Sequence, residues 1–291
     1  MGWKLITVAV AALGAIIALA RRKDERRTRN RRWPTNLAHR GASARAPENT
    51  MEAFRLGLES GALGLEMDAH LTRDGEVVVI HDDDVDRTTD GMGFVRDMTL
   101  DEIRALDAGH DFSPDGESFP YRGKGLRVPT LREVYESFPE AMINVELKED
   151  QSGIQEKVLD LIEEFDAERR TLVASFGYSI VRRFRRVSGG RVPTSASRVE
   201  ISVFYFASRL FLEKFVPVGY DALQVPTRHR GFEVVTPRFI KAAHSRGVRV
   251  DVWTINDAAE MRRLLDLGVD VVMTDEPEVL SRVLAEREAD L

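Results

Sequence analysis

The chain has 291 residues, of which 43% are hydrophobic and none is cysteine. That length suits one large domain plus a terminal segment, since α/β barrels run to about 250 residues as one unit. Disulfides, thiolate metal sites and thiol nucleophiles are excluded, so any metal must be held by oxygen or imidazole, and oxygen favours hard ions such as magnesium, calcium or manganese.

Charge is unevenly spread. Residues 1–32 carry a local balance of +7 while the whole chain is −6, so residues 33–291 carry −13. An acidic body argues against a nucleic-acid backbone as partner. Residues 3–20 read WKLITVAVAALGAIIALA, with no charge between Lys4 and Arg21. As a helix, Leu5–Ala20 would reach roughly 24 Å at about 1.5 Å per residue. Trp3 and snorkelling of Lys4 and Arg21 make that enough for a span. The twelve residues that follow, RRKDERRTRNRR, hold eight basic side chains. Only Lys4 precedes the apolar stretch, so the positive-inside rule predicts a single-pass membrane protein with its body in the cytoplasm. The basic run suits anionic headgroups. The competing reading is a signal peptide cut after Ala18-Leu19-Ala20, which would place the body outside the cytoplasm. The expected organisation is an anchor or signal segment over 1–22, a basic linker over 23–34 and a catalytic domain over 35–288.

From Asn36 onward, short apolar runs alternate with amphipathic stretches. Eight strands are predicted: Asn36–His39, Leu63–Asp68, Met142–Leu147, Thr171–Ser175, Val192–Thr194, Ala222–Val225, Val248–Trp253 and Val269–Thr274. Helix starts are predicted at the capping box Thr130-x-x-Glu133 and at Thr236-Pro237. Asn256 or Asp257 should start another, which Gly268 would end. Eight β-α units predict an α/β fold closed into a TIM (β/α)8 barrel, preceded by the N-terminal apolar helix; a doubly wound open sheet is the alternative. An extra strand at Glu76–His81 and a polar segment over Asp82–Arg127, with a short helix capped by Thr99-x-x-Glu102, form a small insertion after the second strand.

In a barrel, catalytic groups gather where strands give way to loops. His39, Glu66, Asp68, Glu146, Lys148, Ser175, Gln224, Trp253, Thr274 and Asp275 all fall there. Glu66 and Asp68 are two apart, hence on one face of a strand. Two adjacent carboxylates repel unless a cation lies between them. Glu146 supplies a third carboxylate, with Lys148 on the same face; a simple Glu–Lys pair is the bland alternative. His39 and His81 each follow an apolar strand. Phosphodiester cleavage needs one proton taken and one given, and histidine suits both tasks. Arg40 could brace a phosphate. Asp82, Asp84 and Asp86 have the spacing of an EF-hand start, but Arg87 and Gly93 stand where glycine and glutamate are required, so that motif fails. His70 continues the Glu66/Asp68 alternation as a weaker candidate.

The strings AHRGA (Ala38–Ala42), PENT (Pro47–Thr50), LEMD (Leu65–Asp68), TRDGEVVVIHD (Thr72–Asp82), VDRTTDGMG (Val85–Gly93), VPTLREV (Val128–Val134), NVELK (Asn144–Lys148) and VWTIN…TDEP resemble the glycerophosphodiester phosphodiesterase family in order and spacing. The resemblance implies a TIM barrel with the insertion after its second strand. It implies metal ligands at Glu66, Asp68 and Glu146 for one divalent cation, Mg2+ or Ca2+. It further implies a catalytic pair at His39 and His81, phosphate contacts from Arg40 and Lys148, and Trp253 beside the substrate. Glu48 and Asn49 fall in the family's ENT element. The expected substrate is a small glycerophosphodiester, or a lysophospholipid in the manner of membrane-bound relatives. Val199–Val218 carries five aromatics, either an ordinary barrel helix or a lipid-facing surface. Other readings are a phospholipase C that would release a cyclic phosphate, and a tethered binding protein on a barrel fold.

Overall fold

The computed structural model describes residues 33–149 and 153–289. The expected apolar segment and most of the basic linker lie outside them. Among the described residues no helix is long and apolar enough to cross a membrane.

In chain order the elements are β1 (Asn36–His39), α1 (Met51–Glu59), β2 (Gly64–Leu71), β3 (Val77–Val79), α2 (Leu100–Arg104), α3 (Leu131–Ser137), β4 (Met142–Leu147), α4 (Ile154–Glu164), β5 (Thr171–Ala174), α5 (Tyr178–Val187), α6 (Arg198–Arg209), β6 (Ala222–Val225), β7 (Arg228–His229), β8 (Phe232–Glu233), α7 (Pro237–Ser245), β9 (Arg249–Val252), α8 (Ala258–Leu267), β10 (Val271–Thr274) and α9 (Pro277–Ala289). The parallel strands run β5-β4-β2-β1-β10-β9-β6. Between the two ends lies the segment predicted as the fifth strand, Val192–Thr194. It is not a regular strand. Parallel bridges Val173↔Thr194 and Ser195↔Ala222 span the gap instead. Pro193 has no N–H to give to a ladder, although its carbonyl accepts from the Val173 amide at 2.9 Å. The fold is a TIM-barrel-like α/β fold.

Strand alternation sorts the side chains. On β2, Leu65, Met67 and Ala69 pack outward with Val145 and Leu147 of β4 into the layer between sheet and helices. The opposite parity, Glu66 and Asp68 with Asn144 and Glu146, lines a cleft inside the barrel. Beneath it, Leu37, Val271 and Met273 pack with Trp33, and Arg249 lies 4.7 Å from the Trp33 ring centroid. Above these, Gln224 donates to Asn144 at 2.7 Å and to Asp251 at 3.3 Å. Buried polar groups are kept only where such partners exist.

Several strand bounds differ from expectation: β2 starts at Gly64 rather than Leu63, β5 ends at Ala174 rather than Ser175, β9 is Arg249–Val252 rather than Val248–Trp253, β10 starts at Val271 rather than Val269, and the extra strand is β3, Val77–Val79, rather than Glu76–His81. The second strand continues past Asp68 to Leu71, because β3 pairs antiparallel with Ala69–Leu71. A β7–β8 hairpin follows β6 with no counterpart among the predicted strands. The capping boxes at Thr99 and Thr130 form with both hydrogen bonds. Thr236 and Asp257 cap α7 and α8, and Gly268 ends α8 in the left-handed region at φ +91°.

The barrel wall is thinnest at the fifth position, and Arg185 of α5 holds it there. Its guanidinium donates to Thr194 Oγ1 at 2.8 Å, to the Ser195 carbonyl at 2.7 Å and to Glu200 at 2.6 Å. Glu200 in turn completes the capping box of α6. Removing one partner of a part-buried ion pair leaves the other without compensation. Arg185→Met should therefore lower the unfolding free energy by about 3 kcal/mol in urea, whereas Arg132→Met, at an exposed pair with Glu164, should change it by less than about 1 kcal/mol. Equal losses in the two variants would contradict the account.

Candidate active site

The cleft at the C-terminal rim is lined by His39, Arg40, Glu66, Asp68, His81, Glu146, Lys148 and Trp253. Every predicted site residue therefore meets in one place, drawn from five segments of the chain.

His39 closes β1, and the turn after it is tight. Arg40 has φ +55° and Gly41 φ +86°. A Cβ on Gly41 would lie 2.4 Å from the Ala53 carbonyl carbon, so glycine is required for α1 to pack over this turn. The turn aims the Arg40 amide at Glu66 Oε2, 3.1 Å away. The Arg40 side chain reaches Glu48 at 2.9 Å and Asp68 at 3.3 Å. Asn49, also left-handed, donates to Asp68 Oδ2 at 2.9 Å.

Glu66, Asp68 and Glu146 each offer an oxygen, and these oxygens lie within 4.8 Å of one another. Glu66 and Asp68 are almost wholly buried, at 5% and 1% exposure. Burial, then the neighbouring Asp68 charge, push the Glu66 carboxyl up to about 7. Burial would push Asp68 the same way, but Lys148, Arg40 and the Asn49 hydrogen bond outweigh it and hold Asp68 below the usual range. Glu146 is raised, chiefly by burial. Lys148 lies between two of these acids, donating at 2.9 Å to Asp68 and 2.8 Å to Glu146. Its ammonium is thus the local counter-charge. The donor set fits a hard divalent ion: three oxygens, no sulfur, and one carboxyl whose ionisation is suppressed for want of positive charge.

Two histidines flank the acids, and each is oriented by an aspartate. His39 Nδ1 lies 2.7 Å from Asp275 Oδ1, and its Nε2 lies 3.9 Å from Glu66. His81 Nδ1 lies 2.6 Å from Asp82 Oδ1. Burial would raise Asp275, but hydrogen bonds from His39, Asn256 and Ser43 bring it to about 2. Asp82 is also near 2, because Arg87 and His81 outweigh its burial. An ionised carboxylate only accepts, so Nδ1 carries the proton in both pairs and Nε2 is the nitrogen left for chemistry. Burial would lower His39, yet the Asp275 hydrogen bond and the Glu66 charge leave it raised. Arg87 ties the second pair to the first loop, donating to Asp82 at 2.5 Å and to Glu48 at 2.7 Å.

Trp253 meets Phe176 edge-on, with centroids 5.7 Å apart, on the apolar side of the cleft. Phe176 and Asn144 escaped sequence reasoning, although Asn144 shares the parity of Glu146 and could have been found by it. Asp275 and Gln224 were placed at strand ends without roles. His70 is buried on the site's parity, with Nε2 3.2 Å from the His81 carbonyl, so it meets the backbone of the second histidine rather than the carboxylate cluster.

A TIM-barrel-like rim carrying clustered acids, cationic side chains and two Asp-oriented histidines has the chemistry that hydrolysis of an anionic ester requires. The glycerophosphoryl diester phosphodiesterase family model matches residues 39–279. The chain belongs to this family and is a phosphoric diester hydrolase. It is 37% identical over 251 residues to a glycerophosphodiester phosphodiesterase of Caldanaerobacter subterraneus subsp. tengcongensis, covering 84% of this chain and 95% of that one. It is 29% identical to mouse lysophospholipase D GDPD1, covering 89% of this chain and 88% of the other. An Oleispira antarctica phosphodiesterase solved with its product sn-glycerol-3-phosphate superposes with TM-score 0.67 at 25% identity, covering 86% of this chain and 96% of that one.

The Asp275 pair yields a test of the geometry through stability. A carboxyl lowered by folding contributes stability that is present above its unfolded value and lost as pH falls through the folded one. Asp275→Asn should cost about 2 kcal/mol near neutrality, and the gap should close between about pH 4 and pH 2. Urea titrations across that window would measure it, and a gap that did not change with pH would contradict the assignment.

Proposed function

We propose that this chain hydrolyses glycerophosphodiesters to glycerol 3-phosphate and an alcohol. Glu66, Asp68 and Glu146 would hold one divalent cation, Mg2+ or Ca2+, and His39 and His81 move the protons. The observation that carries this reading is the convergence of three carboxylates between two histidines whose Nε2 atoms are the free ones. Bound there, the cation would neutralise phosphate charge and lower the pKa of a water or substrate hydroxyl. Arg40 and Lys148 bring positive charge to the non-bridging oxygens. A cation held by the acids would supply the positive charge that Lys148 supplies to Asp68 and Glu146, leaving its ammonium for that contact. The attacking oxygen, of water or of a glycerol hydroxyl, bonds to phosphorus as the bond to the leaving alcohol breaks. One imidazole, neutral at Nε2, takes the attacker's proton, and the other, protonated on both nitrogens, gives its Nε2 proton to the departing alkoxide. A cyclic phosphate formed by a glycerol hydroxyl is opened by water with the two roles exchanged. Their aspartates hold each ring's tautomer through both steps. Trp253 and Phe176 form an apolar wall for the carbon portion of the substrate.

The relative named as a lysophospholipase D supports a second substrate, a lysophospholipid. The aromatic wall at Phe176 favours it, since an acyl chain needs apolar surface and a glycerol headgroup does not. The apolar stretch at 3–20 and the basic run behind it support a membrane-attached chain with its body in the cytoplasm; cleavage after Ala20 would release it outside.

His39→Ala and His81→Ala should each lower turnover of glycerophosphocholine by at least about 10²-fold, the lower end for acid–base groups. Near-normal turnover in either variant would refute the roles assigned. Chelation should abolish activity, and added Mg2+ or Ca2+ should restore it. Activity that survived chelation would remove the cation from the account. Assay of lysophosphatidylcholine beside glycerophosphocholine separates the two substrates, and a cyclic phosphate that persists as the end product in phosphorus NMR would instead indicate a phospholipase C course.

A further inference from the structure

Helix α6 is apolar on two sides. Phe204 is buried against Phe239 of α7. On the opposite side Val199, Val203, Phe206 and Leu210 recur at helical spacing and are 51–66% exposed. That is a stripe along one face pointing at solvent. The stripe continues beyond the helix in Phe211 and Phe215, 71% and 70% exposed, and across to Phe232 of the β7–β8 hairpin at 66%. The hairpin abuts the helix: the Glu233 carbonyl accepts from Tyr205 and from Arg209, each at 3.3 Å. So many exposed apolar side chains on one helix face and its adjoining turn and hairpin are uncommon on a soluble surface and mark an interaction site.

The charge around the patch identifies the cover. The body carries −13, yet residues 198–238 hold six Lys/Arg against four acids. Glu200 is taken by Arg185, Glu213 by Arg238, and Glu233 lies 3.9 Å from Arg263; Asp221 accepts from the Thr194 amide. Arg209, Lys214, Arg228 and Arg230 stand exposed among the aromatics. Lys214 and Arg238 lie over the rings of Phe215 and Phe211, at 4.9 Å and 4.2 Å. Exposed aromatics interleaved with cations match the interfacial zone of a bilayer bearing anionic lipid. A second copy of the chain fits less well, because a two-fold contact would bring these cations against their own equivalents.

The patch also leads to the cleft. The Arg198 amide donates to the Phe176 carbonyl at 3.1 Å, and its guanidinium lies 5.4 Å from the Phe176 ring centroid. Phe176 lines the active-site cleft. We propose that the outer face of α6, the turn at Phe211–Phe215 and the β7–β8 hairpin dock on an anionic lipid surface, setting the mouth of the cleft beside it. The inference concerns docking and holds whichever diester is cleaved.

The absence of cysteine allows a direct test on the full chain. Phe211→Cys and, across the barrel on α9, Ala285→Cys would each carry an environment-sensitive fluorophore. With vesicles of phosphatidylcholine and phosphatidylglycerol, the label at 211 should brighten at least about twofold and be quenched by a quencher in the acyl region. The label at 285 should not respond. Pure phosphatidylcholine or added salt should weaken the response, because the attraction is partly electrostatic. A silent label at 211 while the chain sediments with the vesicles would overturn the proposal. So would a label that brightens with protein concentration in the absence of lipid, which would make the patch a contact between copies. The label reads insertion without turnover, so its failure is distinct from failure of either proposed substrate.

Discussion

The structure turns on the meeting of three acidic side chains in a place with little water. Strand parity on β2 and β4 sends apolar residues outward to the helices and leaves Glu66, Asp68 and Glu146 to the barrel axis. Burial and mutual repulsion both oppose their ionisation. The fold compensates with Lys148, Arg40 and Asn49, each within hydrogen-bonding or ion-pairing reach of Asp68. That compensation is partial. Asp68 stays ionised, whereas Glu66 titrates near 7. The charge deficit that remains is what a divalent cation would satisfy.

Much of the surrounding structure serves this arrangement. The left-handed turn at Arg40 and Gly41 delivers both a backbone amide and a guanidinium to the acids, and it exists only because α1 packs onto a residue without a Cβ. Glu48 links Arg40 to Arg87, which in turn fixes Asp82 and through it His81. The insertion that follows β3 has its own small apolar centre around Val78, Val85, Val95 and Ile103. It thereby holds His81 at a set distance from a histidine on the first strand. Asp275 does the equivalent for His39 from the far end of the chain. The first and last parallel strands pair directly, β1 with β10, so barrel closure itself assembles that His–Asp contact.

Much of this could be read from the sequence, and the limits have physical causes. Single-strand periodicity located β1, β4 and β6 to the residue, and parity put Glu66 with Asp68, and Glu146 with Lys148, on one face of their own strands. Capping boxes formed at Thr99 and Thr130 because they need only local chemistry. What depends on pairing between distant strands was less legible. The extension of β2 to Leu71 comes from its antiparallel partner, not from its own composition. The fifth strand reads as apolar and β-branched, yet Pro193 keeps it from regular pairing. Lys148 was legible as a cation near the acids, but its bridging of Asp68 and Glu146 could not be derived without the register of β2 on β4. The five aromatics of Val199–Val218 left two readings open, and α6 embodies both: Phe204 packs inward while Phe206 and its neighbours face out.

The claim on which the account rests is that the buried acids form a cation site whose deficit is stored in Glu66. Calorimetric titration of Mg2+ or Ca2+ into the protein, in two buffers of different ionisation enthalpy, tests it directly. Below its folded value of about 7, Glu66 is protonated, so binding must expel that proton. The account predicts cation binding with net proton release in mildly acidic buffer, a release that fades well above pH 7 and disappears in Glu66→Gln along with most of the affinity. Binding without proton release at any pH, or undiminished affinity in Glu66→Gln, would contradict it.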